Sequence, residues 1–125
     1  MTVKDTLVRP SIFLMTLGLL ATTARADDAQ EHAICERFSQ LVLATAQERD
    51  TGESKEKQLQ TARQLDRATA SDHEPTQADK ILSTLGLEAI ELVYRHPDID
   101  GTSLAAEVRL KCSVGKDWDV HVSGL

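Results

Sequence analysis

The uncharged apolar stretch Ser11-Ile-Phe-Leu-Met-Thr-Leu-Gly-Leu-Leu-Ala21 decides how much of this chain is left to fold. Lys4 and Arg9 precede it against a single acid, Asp5. Ala24-Arg25-Ala26 follows it, and acids begin at once with Asp27 and Asp28. A positive flank, an apolar run and a small-x-small site, in that order, make a secretory signal peptide. Residues 1–26 are therefore expected to be removed, with cleavage after Ala26. A membrane anchor is the competing reading, but even counted from Pro10 to Thr23 the uncharged run before the small-x-small site is only 14 residues, and a spanning helix needs roughly 20. No Cys follows the run closely enough for a lipoprotein anchor. No later stretch is long and apolar enough to span a membrane, so the mature chain is expected to be soluble and periplasmic.

What remains, residues 27–125, is about 100 residues and suits one domain. The formal net charge is −6 for the full chain, and −8 once Lys4, Asp5, Arg9 and Arg25 leave with the leader. Such a surface repels phosphate backbones and anionic lipid, so nucleic acid and membrane surfaces are poor partners. A basic protein partner is weakly favoured. A chain this short is marginal without covalent help. Two cysteines, Cys35 and Cys112, offer it. An even count in an exported chain reads as one disulfide, worth roughly 4 kcal/mol across so long a loop. Two buried free thiols are the alternative, and metal binding by cysteines so far apart is a weaker one.

Hydrophobic spacing predicts helices. Residues 29–49 carry Ile34, Phe38, Leu41, Val42 and Thr45 or Ala46 at helical intervals, and Gly52 follows as a terminator. Residues 54–69 form a second helix with Ser54 as cap and a thin stripe of Leu59, Ala62 and Leu65. A loop spans 70–75, and Thr76 with Asp79 makes a capping box for a third helix over 77–96. Its apolar arc is wide, with Ala78, Ile81, Leu82, Leu85, Ala89, Leu92 and Val93 beside Leu87, Ile90 and Tyr94, so it is expected to be central. A last helix near 103–113 places Leu104, Val108 and Cys112 on one face. Trp118, Val120 and Val122 alternate as in a strand, but a lone strand has no partner. Residues 114–125 are thus expected to be a loosely packed, mobile tail on a helical domain of residues 27–113. The fold class expected is all-α: a small bundle of about four helices stapled by one disulfide.

Several of these residues resemble a shared layout. Cys35, Arg49-Asp-Thr-Gly52-Glu-Ser54, Val93-Tyr94-Arg-His-Pro97 and Cys112 stand in the order found in a group of small exported proteobacterial proteins of no established function. The likeness covers most of residues 33–112. It implies a disulfide-stapled helical fold in the periplasm and carries over no catalytic residues.

Three segments are candidates for chemistry or binding. Asp98-Ile-Asp100-Gly101 followed by Glu107 resembles the later part of an EF-hand loop, with two acids, a turn glycine and a bidentate acid. His96 stands where the first ligand should be, and a simple helix–helix turn capped by Asp100 or Thr102 is the plainer reading. Asp117, Asp119 and His121 would share one face of an extended tail and make a weaker metal trio. Arg49 and Asp50 suit a recognition turn, although Arg49 also favours a helix C-terminus. Trp118, the only tryptophan, suits an interface anchor or a core contact. No nucleophile elbow, phosphate loop or Cys–His pair is present, so no enzyme and no cofactor is expected. The reading is a non-enzymatic periplasmic interaction module that binds another periplasmic protein, with an immunity or inhibitor protein as one version. The alternatives are a structural or stress-related envelope protein, or a weak metal or ligand binder using residues 98–107.

Overall fold

The computed structural model describes residues 28–125. The expected leader lies outside the described residues. The chain divides into two units, Met1–Ala33 and Ile34–Leu125. Of the first, only residues 28–33 are described, and they are helical. The described residues hold four helices: α1 over 28–50, α2 (Lys55–Asp72), α3 (Gln77–Arg95) and α4 (Gly101–Lys111). Two short strands follow, β1 (Cys112–Val114) and β2 (Val120–Val122). Among these residues no helix is long and apolar enough to cross a membrane.

Local chemistry sets the helix ends. Gly52, at φ +96°, takes the left-handed conformation that stops α1. Ser54 then accepts a hydrogen bond from the Lys57 amide and starts α2. Thr76 and Asp79 form a reciprocal capping box at the head of α3. Asp100 accepts from the Ser103 amide at the head of α4. α2 continues through Asp72, into residues expected to be loop.

The core is the α1 face of Ile34, Cys35, Phe38, Ser39, Val42, Thr45 and Ala46 packed against α3 and α4. The α1–α4 seam is antiparallel, because contacts climb α1 as they descend α4. Cys35 is joined to Cys112 by the disulfide. Next, Arg109 pairs with Glu36 at 3.1 Å. The Ser39 hydroxyl, fully buried, donates to the Ala105 carbonyl at 2.9 Å. At the far end a Cβ added to Gly101 would lie 2.9 Å from the Ala46 Cβ, so only glycine admits this approach. Small residues at the crossing points let the two helices close, and the disulfide fixes one end. It closes a loop of 77 residues, on the order of 4 kcal/mol in the chain-entropy account.

The third helix is less enclosed than its apolar arc suggests. Leu85, Ala89, Ile90, Leu92 and Val93 are buried, but Leu82 and Leu87 remain 42% and 37% exposed. The helix that would have covered Leu82 is α2, and α2 buries no residue at all.

The C-terminal segment is not a loose tail. Residues 112–114 and 120–122 pair antiparallel, with Cys112 opposite Val122 and Val114 opposite Val120. The strand that lacked a partner in sequence finds one in Cys112–Val114, of which the first two residues are assigned there to the last helix and the third to the tail. Its turn has the form of a three-residue hairpin loop. Trp118 N–H donates to the Gly115 carbonyl at 3.1 Å, and Gly115 N–H donates to the Asp119 carbonyl at 2.8 Å. Trp118 occupies the left-handed position of this loop at φ +62°, where glycine is usual. The strain, of order 1–3 kcal/mol for a non-glycine residue, is offset by packing. Trp118 lies against the core together with Val114, Val120, Val122 and Leu125. Ending the chain after Ser113 should therefore lower unfolding free energy by roughly 3 kcal/mol. Denaturant melting checks this, and a loss under about 0.5 kcal/mol would mean that the hairpin does not belong to the core.

Candidate functional site

Arg49, on the last turn of α1, has a side chain only 9% exposed. Its Nη1 donates to the carbonyls of Val93 and His96, both at 3.0 Å, and its Nη2 to the carbonyl of Ile99 at 2.8 Å. Its Nε donates to Asp50 at 3.0 Å. The last carbonyls of a helix have no partner within it, and the guanidinium fork gathers them together with one from the following turn. A second tie lies beside this one. The Tyr94 hydroxyl donates to the Glu53 carbonyl at 2.6 Å and accepts from Gln58 Nε2 at 2.9 Å. Gln58 also donates to the Thr45 carbonyl at 3.1 Å, and Lys55 pairs with Glu91 at 3.0 Å. The 49–54 turn and the 93–97 helix end are thus one polar knot. A hydrogen bond to Glu53, reinforced by that neighbour's charge, holds the Glu48 carboxyl above its ordinary range.

This placement corrects the recognition reading of Arg49: its donors are engaged inside the fold. Asp50 is 57% exposed but serves as the guanidinium's counterion. Trp118 is half-buried against the core, so it too is chiefly a packing residue.

The 98–107 segment does not assemble a cation site. Asp100 accepts from the Ser103 amide at 2.9 Å and from the Ser103 hydroxyl at 2.8 Å. Those bonds hold its carboxyl below the usual range. Glu107 pairs with Lys111 one turn on, at 2.6 Å. Gly101 is the helix-packing residue at Ala46, so its presence owes nothing to a calcium turn. His121 pairs with Asp119 at 2.8 Å across the hairpin end. Among the described residues no group of three or more His, Cys, Asp or Glu side chains is placed to hold a metal ion.

Folding leaves open, among other surfaces, a groove of about 720 Å³ between α1, α2 and α3. Leu41, Ala62, Leu65, Pro75 and Leu82 line it. Leu65 is 64% exposed, which is a large apolar area for one side chain to leave in water. Asp66 and Asp79 also line the groove, yet both are engaged: Ser83 donates to Asp66 at 2.8 Å, and Asp79 is held by Thr76 and His73. Arg37 and Lys80 line it as well, and among the described residues neither pairs with a carboxylate. The groove is an apolar strip whose lining carries two cations, Arg37 and Lys80, and two carboxylates, Asp66 and Asp79. The thin α2 stripe was its sequence signal, since a helix with so narrow an apolar face cannot seal the neighbour it lies on.

No protein-family model, no curated protein and no solved structure matches this chain.

The knot makes a direct prediction. Lys cannot span three carbonyls as the planar guanidinium does. Arg49→Lys should cost on the order of 2 kcal/mol, because the Ile99 carbonyl loses its donor and the Val93 and His96 carbonyls keep only a backbone one. Chemical denaturation measures it, and a loss under about 1 kcal/mol would show that water replaces the guanidinium at little cost.

Proposed function

We propose that this chain is an exported, non-enzymatic interaction module of the bacterial periplasm, and that the groove between α1, α2 and α3 is its docking surface. The observation that carries the reading is α2 itself. It buries no residue, yet it stands beside α3 so that Leu65 and Leu82 face an open apolar groove. An amphipathic segment laid into such a groove buries leucines that the fold leaves wet. The overall charge of −8 favours a basic partner, but the groove's own unpaired groups are Arg37 and Lys80. Asp66 and Asp79 balance those two across the lining, so the local chemistry points to a segment with an apolar face. An immunity or inhibitor protein is one form that such a module takes. The leader at residues 1–26, the disulfide and the likeness to small exported proteobacterial proteins support the compartment.

The test is comparative capture from a periplasmic extract with the mature protein, which should begin at Asp27 by mass spectrometry. Leu65→Asp with Leu82→Asp, and separately Arg37→Glu with Lys80→Glu, should each reduce capture of one shared partner by about tenfold or more, or 1.4 kcal/mol. Melting should remain near wild type, because none of the four residues is buried. Leu110→Asp is the control, since Leu110 is 81% exposed on α4 and lines no part of the groove. Equal capture by all variants would remove the groove from the function.

A further inference from the structure

The α2–α3 corner contains a histidine between two carboxylates. His73 is the C-cap of α2. Its Nε2 lies 2.8 Å from an Asp79 carboxylate oxygen and its Nδ1 lies 3.1 Å from an Asp72 carboxylate oxygen. An ionised carboxylate only accepts, so both ring nitrogens must donate, and both do so only in the imidazolium form. A neutral ring carries one proton and must give up one of the two contacts. The same Asp79 oxygen accepts from the Thr76 amide in the α3 capping box. The histidine thus joins the last turn of one helix to the first turn of the next.

The consequences fall on α2. Its last turn has no basic residue, and Asp72 sits there against the negative end of the helix dipole. The His73 cation is what offsets that placement. Beyond it, the C-terminal half of α2 is held by the Ser83–Asp66 hydrogen bond and by no buried side chain. Thr69, Ala70, Pro75 and Asp79 at this corner line the groove.

We propose that His73 is a pH-dependent clasp that fixes the α2–α3 corner, and so the groove wall, while protonated and loosens it when neutral, when the ring can keep only one of its two contacts. This rests on the groove being the docking surface. The charged groups facing the ring are Asp72 on α2 and Asp79 on α3. Lys80 on α3 and Arg37 on α1 line the adjoining groove, while Glu74 follows in the chain.

The direction of titration agrees with the geometry. The bonds to Asp79 first and Asp72 second raise His73 above its ordinary value. Asp79 is lowered, by the Thr76 amide first and the His73 bond second. For the histidine, a raised folded value means that its stabilisation is complete below about pH 6.5 and fades as pH climbs through the folded value. For Asp79, a lowered value means that its stabilisation is present above about pH 3.9 and fades as pH drops through the folded value. The corner is tightest in the mildly acidic window between the two.

The experiment is an NMR titration of the full mature protein between pH 5 and 8, with amide-exchange protection factors at each end of the range. The His73 ring should titrate above about 6.5, and Asp79→Asn or Asp72→Asn should each lower that midpoint. Protection of the Thr69–His73 amides should fall by about threefold or more once pH passes the midpoint, while the buried α1 amides hold. His73→Gln should remove the pH dependence of that turn. A His73 midpoint at or below 6.5 would overturn the clasp. So would pH-independent protection of the turn, or pH dependence that persists in His73→Gln. None of these readouts needs a partner. The raised, His73-dependent titration with no groove-dependent capture would sink the docking reading and leave the clasp standing.

Discussion

The guanidinium of Arg49 is the junction on which the arrangement of this domain depends. It holds the end of α1 to the end of α3 through the carbonyls of Val93 and His96, and to the approach of α4 through that of Ile99. Pro97 has no N–H to give the Val93 carbonyl, which accepts from the His96 amide instead, while the His96 carbonyl accepts from the Ile99 amide; the guanidinium adds a second donor to each. With Ile99 fixed, Asp100 is in place to cap α4 and Gly101 can seat on Ala46. From there α4 runs back along α1 to the disulfide. One end of the α1–α4 seam is thus set by a polar junction and the other by a covalent bond.

The domain has two levels of attachment. α1, α3, α4 and the hairpin share buried apolar surface, with Phe38, Leu85, Leu104 and Val93 at its centre. α2 shares none of it. It is held by Gln58, Tyr94 and the Lys55–Glu91 pair at one end and by the His73 corner at the other. Polar ties exposed to water are individually weak, so α2 belongs to the low-stability end of the structure. That leaves a wall which can yield, beside leucines that are not covered.

Much of the fold was legible in sequence for identifiable reasons. The α1 and α3 faces repeat at helical spacing over long segments. The Thr76–Asp79 capping box and Gly52 mark ends by chemistry that needs no tertiary information. The Cys35–Cys112 bond is an expectation that the structure bears out. The hairpin was hidden because Cys112 fits both the α4 face and the first strand position. Trp118 then stands where a turn glycine would have announced a hairpin. The knot was hidden for another reason. Arg49 looked like a surface turn residue because its three acceptors are backbone carbonyls some 50 positions away, the farthest separated from it by 50 residues, and carbonyls leave no trace in side-chain pattern. The groove was half visible, in the thin Leu59, Ala62 and Leu65 stripe of α2.

The central claim is that Arg49 and Tyr94 act together as one knot between the 49–54 turn and the 93–97 helix end. A double-mutant cycle with Arg49→Met and Tyr94→Phe, read by denaturant unfolding, tests it most directly. Two groups acting through one shared element should show a coupling energy of about 1 kcal/mol or more, the double variant losing less than the two single losses combined. Additivity within about 0.3 kcal/mol would contradict the account and show two independent hydrogen-bonding sites that merely lie side by side.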